Sequence, residues 1–208
     1  MSSNIVHGLQ SGLEGAYRYA QDLNKSLTDI RIVTGYNVEY MSKFAVEANK
    51  AAKALSTSTN EYAKASLIYF QQGLEDQEVR KRADTTVKLA NVTGQSAEEV
   101  SSYMTAVWNN FADGSKEIEY YADVITKLGA ATASSSEEIA TGLQKFAAVA
   151  ETVGLSYEYA TAALATVTSQ TRESAETVGT AFKTIFARLE SLSLGETLDD
   201  DTNMTKYS

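Results

Sequence analysis

Leu89-Ala-Asn-Val-Thr-Gly-Gln-Ser-Ala-Glu-Glu-Val100 is the stretch whose reading decides the fold. It is the end of one helix followed by the start of the next. Gly94 suits the left-handed residue that closes a helix, because it has no Cβ to clash with the neighbouring carbonyl. Ser96 can accept from the free N–H groups of the turn that follows, and Glu99 can reach back to the N–H of Ser96, completing a capping box. On this reading Ser96→Ala costs about 0.5–2 kcal/mol.

The same stop-and-start signal recurs outward from this point. Glycine or a small polar cluster falls at Gly73, Gly94, Gly114, Ser134 and Gly154, in steps of 21, 20, 20 and 20 residues. A helix starter follows each: Asp76, Ser96, Ser115, Ser135 and Ser156. Ser135-Ser-Glu-Glu138 repeats the capping box, and Ser58-Thr-Asn-Glu61 has the spacing of a third. Apolar residues between these signals recur at helical steps. Leu9, Leu13, Ala16, Ala20, Leu23, Leu27 and Ile30 make one stripe on a long first helix ending near Gly35. The second helix (about 37–55) carries Tyr40, Phe44 and Ala48. The third (59–72) carries Tyr62, Ala65 and Tyr69, and the fourth (76–92) Val79, Ala83, Val87 and Ala90. Later stripes are sharper: Val100, Met104, Val107, Phe111; Ile118, Tyr121, Ile125, Leu128; Ile139, Leu143, Phe146, Ala150, Val153; and Val178, Phe182, Ile185, Leu189, Leu192. Between the last two lies a helix with a small-residue face, Ala160, Ala163, Leu164 and Val167.

The expected fold is therefore all-α. It is an array or bundle of about eight or nine helices joined by short Gly/Ser turns, with an extended N-terminal helix. The narrow seams suit close antiparallel packing of neighbours, and alanines such as Ala147, Ala148, Ala160, Ala162 and Ala163 allow close approach. Two helices and their turns make a unit of about 40 residues, the size of a helical-pair repeat, but the residues repeat poorly. Residues 1–35 read as the long N-terminal helix, 36–195 as a helical core domain, and 196–208 as an acidic tail or truncated linker.

Composition narrows the function. The chain has no proline, where average usage of about 5% would give roughly ten, so helix interiors go unbroken. It has no cysteine, which removes disulfides, thiolate metal sites and a cysteine nucleophile. The net charge of −9 disfavours attraction to nucleic acid or an anionic membrane. The longest charge-free windows, Val100–Ala112 and Tyr159–Thr171, are shorter than the roughly 20 apolar residues that span a bilayer, so this piece has no expected membrane span.

Each candidate for chemistry has a plainer account. His7 has no neighbouring acid. Gly8, Gly12 and Gly15 lack the preceding strand and the Lys-Ser or Lys-Thr of a phosphate loop, and read better as a close helix contact or frayed start. Asp199, Asp201 and Asn203 have calcium-loop spacing, but Met204 stands where the loop needs glycine. The basic run Arg80-Lys81-Arg82, with Lys88, is offset by Glu75, Asp76, Glu78 and Asp84. The pairs Glu98-Glu99, Glu117-Glu119 and Glu137-Glu138 sit in first helical turns, where acids favour the helix dipole. Tyr69-Phe70, Trp108, Phe111 and Tyr120-Tyr121 fall on or beside apolar stripes and read as core. The expectation is a non-enzymatic chain with no catalytic residue, cofactor or metal.

The wording of several segments goes further. Ser26-Leu-Thr-Asp-Ile-Arg-Ile-Val-Thr-Gly35, Phe70-Gln-Gln-Gly-Leu74, the opening phrase 89–100 and Ile185-Phe-Ala-Arg-Leu-Glu-Ser-Leu-Ser-Leu-Gly-Glu-Thr-Leu198 occur in this order. Together, over residues 23–208, they resemble the core region of phage tail tape measure proteins. The resemblance implies a virion structural protein that takes part in tail assembly and length determination and, in the intact protein, in genome delivery. It implies the tail tube, tail tip and tail assembly chaperone as partners, with self-association allowed and no specific nucleic acid. Its expected place is the virion tail, with assembly in the host cytoplasm. The long coiled-coil extension and hydrophobic segments usual in that family are missing here. The piece is expected to be the core of a longer protein and to act by packing. The alternative from another class is a helical adaptor or α-solenoid that binds proteins; an enzyme is a distant third.

Overall fold

The computed structural model describes residues 2–193, and the side chains of residues 12–192. The expected acidic tail 196–208 lies outside the described residues. Nine helices and no strand occur among them: α1 Ser2–Thr34, α2 Val38–Ala54, α3 Thr59–Gln71, α4 Asp76–Thr93, α5 Ala97–Phe111, α6 Ile118–Ala131, α7 Ser136–Thr152, α8 Tyr157–Thr171 and α9 Ala175–Ser193. The all-α architecture is as the stop-and-cap spacing predicts.

The phrase 89–100 forms as read. Gly94 closes α4 at φ 75°, and its N–H donates to the Ala90 carbonyl. The Glu99 N–H donates to Ser96 Oγ at 3.2 Å, while the Ser96 N–H donates to the Glu99 carboxylate at 3.0 Å. Ser135 and Glu138 make the second full box. Ser58 makes half of one: it accepts from the Glu61 N–H, but the Glu61 carboxylate takes Lys64 Nζ at 3.2 Å instead. Two starters are displaced. Glu75, not Asp76, holds the N-cap position of α4, with no side-chain cap bond, while the Asp76 carboxylate is engaged by the Tyr36 and Tyr40 hydroxyls. Glu117, not Ser115, precedes α6, because the Ser115 N–H turns back to Asp113 Oδ1. Two helix ends reach the left-handed conformation without glycine: Ser56 and Arg172 hold φ of 56° and 60°.

The chain forms two compact units, Met1–Ser101 and Ser102–Ser208, with the boundary inside α5. In the first, α3 is the central helix, packed on α1, α2 and α4. Its core holds Ile30, Phe44, Ala48, Tyr62, Ala65, Tyr69, Val79, Ala83, Val87 and Val100. In the second, α7 is central, and its contact with α9 is the most extensive. There the core holds Met104, Trp108, Ile125, Ile139, Leu143, Phe146, Ala150 and Leu164.

In the first unit α2 and α4 run in the same direction, and in the second α6 and α8 do. Asp76 of α4 takes the Tyr36 hydroxyl at the start of α2; further along, Arg80 pairs with Glu47, and Asn91 donates to the Leu55 carbonyl. In the second unit the Tyr157 hydroxyl donates to the Tyr121 carbonyl at 2.5 Å, and Arg172 reaches the Ala133 carbonyl. The partners advance together along both helices, which fixes the parallel sense. The crossing of α7 and α9 is made by glycine. A Cβ on Gly179 would lie 2.5 Å from the Gly142 carbonyl oxygen, and one on Gly142 would lie 3.0 Å from the Ala175 oxygen. Past this point Phe146 meets Phe182 and Phe186 at centroid distances of 5.3 and 6.0 Å.

Two predicted stripes are only partly packed. On α1, Ile30 is buried, but every residue from 12 to 22 is exposed. On α9, Val178 is buried while Ile185, Leu189 and Leu192 stand 50%, 51% and 45% exposed.

Candidate interaction surface

The residues singled out for chemistry are scattered, and most have structural employment. His7 and Gly8 lie within α1, in the part whose side chains are not described. Gly12 and Gly15 are interior to the same helix, with nothing within 4 Å of where a Cβ would stand, so neither forms a loop or a close contact within the chain. Asp199, Asp201 and Asn203 lie outside the described residues. In the basic run, Arg80 pairs with Glu47 across helices and Arg82 with Glu78 at 2.8 Å. Asp84, expected to offset the same run, instead accepts from the Tyr62 hydroxyl at 2.8 Å.

Of the carboxylate pairs, Glu99 and Glu138 complete capping boxes, while Glu117 holds the N-cap position of α6 without a side-chain cap bond. Hydrogen bonds from the backbone and side chain of Ser96 hold Glu99 below the ordinary carboxylate range. Glu158 is likewise lowered, chiefly by the Tyr120 hydroxyl at 2.5 Å. Both shifts run opposite to what a general acid requires. Among the described residues no group of three or more His, Asp or Glu is placed to hold a metal ion. No described helix is long and apolar enough to cross a membrane.

Four of the six aromatics expected in the core are there: Tyr69, Phe70, Trp108 and Tyr121 are buried, and the Trp108 indole N–H donates to the Ile118 carbonyl at 3.2 Å. Phe111 and Tyr120 are only half-buried. Burial pushes the hydroxyls of Tyr62, Tyr69 and Tyr157 up; burial and the bond to Asp76 raise Tyr36 to about 12. These hydroxyls act as fixed donors that tie one helix to another, at positions such as Tyr36–Asp76 and Tyr62–Asp84.

Some exposed groups are apolar. Ile185, Leu189 and Leu192 form a half-exposed strip two turns long that continues the α9 stripe of Val178 and Phe182. On α1, Leu13 and Tyr17 are 72% and 65% exposed. Surfaces of this kind bind by burial and carry no reactive group.

A model of the phage-related minor tail protein family matches residues 47–205. The chain belongs to this family. Membership makes it a phage tail protein with a structural role, a component of the virion tail. The match opens inside α2, so the exposed half of α1 precedes the region this minor tail protein shares with its family. Neither the curated proteins nor the solved structures contain a match to it.

Sequence reading missed the glycines that matter most for packing. Gly142 and Gly179 sit inside strong helical stripes, and an interior helix glycine is itself a signal of close backbone approach.

Proposed function

We propose that this minor tail protein is the core region of a tape measure protein, and that it acts by packing during tail assembly. The family match over residues 47–205, joined to the ordered phrases from Ser26 to Leu198, carries the reading. The geometry agrees with a packing part. Several of its polar groups cap helices or tie one helix to another, and apolar strips stand exposed on α1 and α9. Covering the half-exposed α9 strip would contribute about 1 kcal/mol per residue, from roughly 1.5–3 kcal/mol for full burial of such a side chain. That suits docking onto tail tube, tail tip or assembly chaperone proteins in the host cytoplasm. Length determination and genome delivery then belong to the assembled protein, in which helix rise converts chain length into distance at about 1.5 Å per residue.

An amber codon at Trp108 in the phage tests this. In a non-suppressing host the expected lysate, seen by electron microscopy, has DNA-filled heads and few or no tails of normal length. Tails in normal number and length, defective only in adsorption, would contradict the tape measure reading and leave a tip or fibre role.

A further inference from the structure

We infer that the cleft where the α5–α6 loop meets the α7–α8 turn is a binding site for an arginine side chain presented by a partner protein. The cleft lies wholly within the second unit and encloses about 320 Å³. That is the small end of ligand pockets, with room for one side chain rather than for a helix.

Its floor is aromatic and fixed. Phe111, Tyr157, Tyr121 and Tyr120 form a row of rings with successive centroids 5.4, 5.0 and 5.7 Å apart. Tyr121 and Tyr157 are buried, and their hydroxyls are spent on the carbonyls of Phe111 and Tyr121. Tyr120 ends the row, half-buried, and its hydroxyl donates to the Glu158 carboxylate, which joins floor to rim.

The rim is acidic. Asp113, Glu151 and Glu158 line the cleft against a single cation, Lys116. None of these carboxylates makes an ion pair among the described residues. The Ser115 hydroxyl and N–H hold Asp113 below the ordinary carboxylate range, and the Tyr120 hydroxyl does the same for Glu158, so both stay charged at neutral pH. Uncompensated carboxylates around an aromatic floor select a cation.

Lys116 shows which cation fits best. Its Nζ lies over the Tyr120 ring, 5.3 Å from the centroid. Its charge is felt by Asp113 and Glu158, yet it pairs with neither. An ammonium is a compact point charge, so over the ring it does not also meet the rim. A guanidinium does both, stacking its plane on the ring while its edge donors fork to carboxylates. Lys116 is exposed on a flexible stem and can yield the place. A structural component of the tail has other proteins beside it, and these are the source of the side chain.

The site stands whether or not the chain sets tail length, and its test uses the full chain, isotopically labelled for NMR, at neutral pH and low salt. The probe is the peptide acetyl-Gly-Arg-Gly-amide, with lysine or citrulline replacing the arginine for comparison. The arginine peptide should give saturable amide shifts at Gly114, Ser115 and Glu158, with a Kd on the order of millimolar for a single side chain. The lysine peptide should bind about fivefold more weakly, and the neutral citrulline peptide not at all. Glu158→Gln and Glu151→Gln, both at exposed positions, should each weaken the arginine peptide by about threefold or more with unchanged helicity. Glu137→Gln, exposed at the start of α7, should leave it intact. No saturable response, equal binding of the lysine or citrulline peptide, or a loss in Glu137→Gln as large as in Glu158→Gln would each overturn the proposal. Tighter binding of spermidine than of the arginine peptide would overturn it too, marking a polyamine site instead.

Discussion

Replacing Gly179 with alanine puts a methyl group where the backbone of α7 already stands. The new Cβ would lie 2.5 Å from the Gly142 carbonyl oxygen and 3.1 Å from its carbonyl carbon and Cα. An ordinary contact begins near 3.4 Å, so α9 must move away by about 0.9 Å at the crossing. No rotamer change relieves a clash with backbone. Overpacking of this kind costs about 1–3 kcal/mol. Alanine returns up to about 1 kcal/mol of helix propensity. The net expectation is a loss of about 1–2 kcal/mol, or roughly 2–8 °C in midpoint for a chain of this size. Trp108 is the only tryptophan and is buried in the same unit, so its fluorescence on heating or in urea reports the melting of that unit. Gly15→Ala, read by far-ultraviolet circular dichroism because it lies in the other unit, serves as the opposite case, since open space surrounds that position and only the propensity gain remains. A Gly179→Ala midpoint equal to or above wild type would refute the glycine-crossing account.

Three further outcomes follow from single groups. Thr168 Oγ1 is buried without a hydrogen-bond partner, so Thr168→Val should raise the urea midpoint, by about 1 kcal/mol in stability; a loss would show that the hydroxyl is satisfied. Arg172 holds a left-handed conformation at the end of α8, and Arg172→Gly should stabilise by about 0.5–1 kcal/mol despite losing the 3.4 Å contact to the Ala133 carbonyl; a lower thermal midpoint would count against strain there. Tyr36, raised to about 12, and the buried Tyr62, Tyr69 and Tyr157 ionise later in the folded than in the unfolded chain. Their contribution is whole below the unfolded value near 10 and is lost as pH rises through the folded values. Denaturation midpoints should therefore be flat to about pH 9 and fall between roughly pH 10 and 12, together with tyrosinate absorbance.

Most of the fold was legible because helix ends are local. Gly94, Ser96 and Glu99 specify a stop and a start within six residues, and the chain folds there as written. The stops at Ser56 and Arg172 were not legible, because neither residue type announces a left-handed backbone. Stripe reading located the cores through Val79, Val87, Met104 and Phe146, but it cannot tell a covered seam from an uncovered one. Leu13 and Leu189 belong to stripes as regular as any buried one, yet both stand exposed. The α9 stripe, expected to bury itself on the preceding helices or on a partner, packs within the chain through Val178, with Phe182 and Phe186 against Phe146, and leaves Ile185 and Leu189 open. The interhelical ties, such as Tyr36–Asp76 and Arg80–Glu47, join residues 33–40 positions apart and needed the structure to be seen.

The central claim, that this minor tail protein belongs to the tail's length-setting component, is tested most directly by tail length itself. Ten helical turns take about 36 residues, so inserting 36 helix-forming residues between Tyr19 and Ala20 keeps the phase of α1 and falls in its exposed stretch. The phage carrying this insertion should make tails about 54 Å longer, at roughly 1.5 Å per added residue. Tails of unchanged length, with the lengthened protein confirmed in the particles, would contradict the account.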